Sequence, residues 1–209
     1  MKSVFSQDGI LWRVLNCLTD VFVLSLLFLL CCIPLVTAGA SLTALYDSAV
    51  RCIRYKESGP YRRFFATFRE ELKNGIFMTL LWGAAIGAVF FGRGVLKTVD
   101  NGESAVYIAY ACWYAAGIIP MGIACWVFPV MSRFSQSFGR SCAAAFKLCL
   151  GRLPRTVVLI LLASETISLC IKLPFLAAFL PAAVMLLASL FIEPVFAALG
   201  GAIHPAGKE

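Results

Sequence analysis

The chain has 209 residues, 61% of them hydrophobic and 14% charged, with a formal net charge of +7. So little polar side chain cannot coat a soluble globule, and composition alone points to an integral membrane protein. The positive balance would suit nucleic acid, but Lys and Arg gather in two segments between apolar runs, as in loops facing anionic lipid, so nucleic acid is not the expected partner.

The first apolar run, residues 14–33, carries Asp20 as its only formal charge and has the length an α-helix needs to cross a bilayer core of about 30 Å. Lys2, Arg13 and the Ala38-Gly39-Ala40 triplet imitate a secretory leader, but the run is span-length and charged at Asp20, so an uncleaved span is expected. Pro34 ends it. Beyond, Leu42, Leu45, Ala49, Cys52 and Ile53 fall at helical spacing, with Asp47, Arg51, Arg54, Lys56 and Glu57 on the remaining arc. This predicts an amphipathic helix along the membrane surface or against other helices.

Ser58-Gly59-Pro60 breaks that helix, and Tyr61-Arg62-Arg63 opens another with Phe65, Phe68, Leu72 and Ile76 as its stripe. This one is expected to run directly into a second span at 75–95, where Gly83 and Gly87 form a G-x-x-x-G match that permits close helix contact. Residues 96–104 read as a loop with an Asn101-Gly102 turn. A third span follows at 106–131, with a kink expected at Pro120. Phe134, Phe138, Cys142, Phe146, Cys149 and Leu153 then repeat the amphipathic basic pattern. A fourth span at 156–171 is short and polar, and a fifth covers 175–199. Pro129 answers Pro34, and Phe146-Lys147 answers Phe68-Arg69, consistent with two parallel-wound halves. The expected fold is an all-α polytopic bundle of about five transmembrane helices in a single domain, 1–209.

Residues 34–73 hold seven basic side chains and residues 132–155 hold five, twelve of the eighteen in the chain. The positive-inside rule makes both segments cytoplasmic, with the N-terminus outside and the C-terminus inside.

Motif chemistry is sparse. The nine cysteines contain no C-x-x-C pair and read as small hydrophobes in packed helices, so neither a disulfide framework nor a metal site is expected. The single histidine, His204, sits in the tail, and no zinc-protease, nucleophile-elbow or P-loop signature is present, so no enzyme and no cofactor are expected. Ionisable groups within spans mark the best functional lead. Asn16, Asp20, Glu165 and Glu193 sit in apolar surroundings, and Asp20, Glu165 and Glu193 form a candidate intramembrane polar site for a cation or proton, with Lys172 as a partner. The plainer reading has Asp20 and Glu193 hydrated near span ends and Glu165 protonated or paired. Arg51, Arg54, Arg62, Arg63, Phe65 and Phe68 form a candidate partner-docking surface. The plainer reading of the same helices is solvated pairs such as Asp47 with Arg51, and aromatic anchoring among the headgroups.

Phe5, Gly9 and Trp12, the junction Cys32-Ile33-Pro34-Leu35-Val36-Thr37-Ala38-Gly39, then Ala44-Leu45-Tyr46 and Phe64-Phe65-x-x-Phe68-Arg69 resemble the YesL-like family of bacterial membrane proteins. The resemblance implies a bacterial cell-membrane location and an accessory or assembly role beside carbohydrate ABC transporter permease subunits, since family members are often encoded next to such importers. It carries no catalytic or ligand residues. The alternative from the residues is a small transporter or channel, favoured by the intramembrane carboxyls, by Pro120 and Pro181 and by the two-half pattern.

Overall fold

A computed structural model describes residues 10–98, 104–134 and 138–199, and every element in them is helical. In chain order these are α1 (Ile10–Cys31), α2 (Ala38–Ser48), α3 (Pro60–Glu70), α4 (Leu72–Thr98), α5 (Ser104–Arg133), α6 (Phe138–Gly151), α7 (Leu153–Lys172) and α8 (Leu180–Ala198). Single turns of 3-10 helix precede α2 and α8, and α2 continues as a wider π turn over Ala49–Arg54.

Four stretches are long and apolar enough to cross a membrane: Leu72–Leu96, Tyr107–Arg133, Leu153–Lys172 and Leu180–Ala198. They correspond to the second through fifth expected spans. The first expected span lies in α1, whose apolar run Leu15–Cys31 is shorter than these four. The helix stops two residues before the expected end at Ile33. There the Thr37 hydroxyl sits 2.6 Å from the Cys31 carbonyl and 2.8 Å from the Pro34 carbonyl, closing a tight turn on acceptors the helix end leaves free. The fifth span is also shorter than expected. Pro174–Ala178 forms a 3-10 turn, and α8 begins only at Leu180.

Of the two places expected for the two-faced helix, along the membrane surface or against other helices, the structure takes the second: α2 is the middle of the bundle. Ala40, Ser41, Ala44, Leu45 and Ala49 are fully buried, as are Thr43 and Ser48 among its polar residues. It packs against α1, α3, α4, α5 and α8. Small residues make this possible. A Cβ placed on Gly39 would lie 2.6 Å from the Gly75 carbonyl oxygen, and one on Gly75 would lie 2.5 Å from the Ala40 nitrogen, so α2 and α4 touch backbone to backbone. Thr79 seals the crossing: its hydroxyl accepts from the Gly39 N–H at 2.8 Å and donates to the Gly75 carbonyl at 2.8 Å. Buried Thr43 donates to the Gly39 carbonyl within the helix, and of the polar arc Asp47 is buried, Arg51 and Arg54 are half-buried and Lys56 is exposed.

Two further joints fix the bundle. Ser25 of α1, fully buried, accepts from the Ala182 N–H at 3.2 Å and lies 3.3 Å from the Phe179 carbonyl, so α1 caps the start of α8 from outside. Trp126 of α5 donates to Thr156 of α7 at 2.9 Å inside a core that includes Met78, Val130, Leu159 and Ile192. α5 runs through Pro120 and Pro129 to Arg133 without a break, past the expected end near Pro129. α3 does not run straight into α4: the helix breaks at Glu71, which has φ −92° and ψ 8°. Gly83 and Gly87 meet nothing within 4 Å, so the G-x-x-x-G face of α4 is open in this chain.

Candidate functional site

Two buried carboxylates, one on α2 and one on α8, gather the basic side chains of both arginine-rich segments. Asp47 is 2% exposed and accepts from Arg51 Nε at 2.8 Å, from Arg63 Nε at 2.5 Å and from the Thr67 hydroxyl at 2.8 Å. The expected solvated pair of Asp47 and Arg51 is therefore part of a four-member network around a buried carboxylate that joins α2, its π turn and α3, with Arg51 and Arg63 part-exposed at its edge. Charge-assisted bonds of this kind compensate a carboxylate that would otherwise be costly to remove from water.

Glu193 is 4% exposed and pairs with Arg133, itself 5% exposed, at the end of α5. Tyr46 donates to its Oε1 at 3.0 Å, and Tyr55 donates to its Oε2 at 3.2 Å. One turn earlier on α8, Ser189 accepts from Arg54 Nη1 at 2.8 Å. The Arg133 guanidinium also lies over the Phe196 ring, 5.9 Å from its centroid. Burial, and then the Glu193 charge, push the Tyr46 phenol well above its ordinary pKa, so it stays a neutral donor.

Local backbone explains how four arginines converge here. The π turn adds one residue per hydrogen-bonded ring, with the Tyr55 N–H reaching the Val50 carbonyl at 3.0 Å. Its two arginines diverge, Arg51 folding back to Asp47 and Arg54 reaching across to α8. The turn is closed by Lys56 at φ 59°, with the Glu57 N–H bonded to the Arg51 carbonyl at 3.0 Å.

Of the candidate polar site, Glu193 alone enters this hub. Asp20 accepts from Tyr61 at 2.9 Å in an exposed contact between α1 and α3. Glu165 sits on an exposed face of α7, and Lys172 is exposed at its end, with no ion pair between them. The reading of Glu193 as a hydrated span-end group gives way to a buried ion pair. Of the candidate docking surface, Arg51, Arg54 and Arg63 are turned to internal partners, and Phe68 stacks on buried Phe64 with ring centroids 6.3 Å apart. Arg62 and Phe65 face outward, Phe65 being 51% exposed. Sequence reasoning missed Tyr46, Tyr55, Thr67, Arg133 and Ser189, all of which act across helices. Among the described residues no group of His, Cys, Asp and Glu could hold a metal ion, and His204 lies outside them.

The residues of the junction, of α2 and α3 and of α4 up to its later turns thus form one structural unit. Residues 21–93 match the family described as a protein of unknown function, DUF624. The matched segment holds the Pro34–Gly39 junction, the Gly39–Gly75 crossing and the whole Asp47 network, but not Arg133 or Glu193. No curated protein and no solved structure matches the chain.

Proposed function

We propose that this chain is a non-catalytic accessory or assembly subunit of a bacterial carbohydrate uptake system, held in the cell membrane with its two arginine-rich segments toward the cytoplasm. The observation that carries the reading is the state of the buried carboxylates. Asp47 and Glu193 are each saturated by donors of the same chain, so the charged interior serves as a lock between helices rather than as a stop for a moving ion. Arg54 and Arg133 meet α8 on adjacent turns, which agrees with both basic segments and the end of α8 lying on one side. The resemblance of the junction, Ala44-Leu45-Tyr46 and Phe64–Arg69 to the YesL-like family, whose members are often encoded beside carbohydrate permeases, supports the choice of system. The open Gly83 and Gly87 face of α4 offers a flat surface for a neighbouring span.

The test is mild-detergent extraction from native membranes with crosslinking. Recovery of a carbohydrate permease, diminished by substituting Gly83 and Gly87 with leucine, supports the proposal. Solute or ion flux by the purified protein alone in liposomes, abolished by Glu193→Gln, would replace it with a transporter.

A further inference from the structure

Once the internal partners of α3 are counted, its outward face has a distinct character. Arg62, Phe65, Ala66 and Arg69 are all exposed and fall at spacings of three, four and seven along the helix, and exposed Lys73 follows as the second residue of α4, just past the break at Glu71. Arg63, one residue away, is neutralised by Asp47, whereas Arg62, Arg69 and Lys73 have no acidic side chain within ion-pair distance among the described residues. Glu70, next to Arg69 and three residues before Lys73, is also exposed and forms no ion pair with either. Phe65 stands edge-on to buried Phe64, with centroids 5.7 Å apart and planes at 90°, so the ring is braced outward. Immediately afterwards the chain enters the apolar stretch Leu72–Leu96.

We propose that this face binds anionic phospholipid headgroups, the guanidinium groups of Arg62 and Arg69 and the Lys73 ammonium taking phosphate oxygens while Phe65 inserts at the acyl boundary. Three observations favour lipid over a protein. Arg62 and Arg69 share one face of α3 and, like Lys73, lie in no ion pair among the described residues, Phe65 stands exposed between the arginines, and Lys73 begins a helix long and apolar enough to cross the bilayer. Arginine binds phosphate through a two-pronged donor, and a basic residue at an anionic surface gains up to about fivefold in binding.

The experiment reconstitutes the full chain in nanodiscs of phosphatidylcholine with a minor share of phosphatidylglycerol, extracts it, and weighs retained lipid by native mass spectrometry. Phosphatidylglycerol should be enriched on the wild type, and the enrichment should fall as salt rises. The variant R62Q/R69Q/K73Q should lose roughly tenfold or more of it, given about fivefold for each residue. The variant R93Q/R140Q/K147Q, which removes the same charge at exposed positions elsewhere, should keep it, and R62K/R69K, which keeps the charge but loses the two-pronged contact, should fall between the two. Equal loss in both glutamine triples, or unchanged retention in R62Q/R69Q/K73Q, would overturn the proposal. Unchanged retention together with loss of a co-purifying protein would assign the face to protein docking.

Discussion

Replacing Glu193 with alanine isolates the energetics of the hub. The change strips Arg133, 5% exposed, of its counter-charge and leaves the phenol of Tyr46, 1% exposed, without an acceptor. Removing one partner of a buried ion pair costs about 3 to 5 kcal/mol, because the remaining charge stays out of water, and a stranded buried hydroxyl adds about 1 to 3 kcal/mol. Tyr55 is less enclosed and can rehydrate. A loss of about 4 kcal/mol or more is therefore expected, corresponding to a fall in Tm of about 8 to 16 °C for a chain of this size. Unfolding can be followed in detergent with a thiol-reactive dye, since the nine cysteines are free. The double variant R133M/E193L removes both charges and fills the space with apolar atoms, so it should recover most of the loss. If E193A costs less than about 1 kcal/mol, or if the double variant is as unstable as the single one, the pair is not a desolvated lock and the argument fails.

Gly39→Ala and Gly75→Ala should each sharply reduce monodisperse yield on size exclusion, since the new methyl would meet backbone at 2.6 Å and 2.5 Å, whereas Gly83→Ala should be silent. Thr79→Val strands the Gly39 N–H at the same crossing and should cost about 1 to 3 kcal/mol in thermal unfolding. Lys56→Gly relieves a side chain held at φ 59° and should raise Tm slightly, by about 0.5 to 1 kcal/mol of stability. Glu71 has its pKa raised by burial, so folding favours the protonated form and the stability it lends is present at low pH and lost as pH rises through its folded pKa. Glu71→Gln, which can still accept from Asn74, should therefore raise Tm at neutral pH and add nothing in acid; an equal gain at both pH values would reject this account.

The helical membrane architecture was legible because it depends on runs and periods along the chain. Residues 75–95, 106–131 and 156–171 lie within observed helices, and Pro34 marks a real junction. What periodicity could not supply was the partner of each face. The arc of Asp47, Arg51 and Arg54 has the pattern of a solvated surface, and its partners come from other helices: Arg63 and Thr67 of α3 bond Asp47, and Ser189 of α8 accepts from Arg54. Glu193 resembled a span-end carboxylate because Arg133, the group that fixes it, is sixty positions away. The end of α1 comes two residues earlier than expected for a local reason. Nothing in Cys32-Ile33 looks unlike a span, and the hydroxyl that ends the helix belongs to Thr37.

The burial of α2 also bears on how the chain assembles as it is made. A ribosome delivers residues 38–54 well before α5 and α8, yet Asp47 finds Arg51, Arg63 and Thr67 without them. The central post can therefore stand early, its nearer carboxylate already neutralised, while the Tyr46 and Tyr55 hydroxyls wait for Glu193. Late arrival of α8 would then act as the final bolt, and a chain stalled before it would leave the Tyr46 and Tyr55 phenols and Arg133 without the carboxylate that holds them.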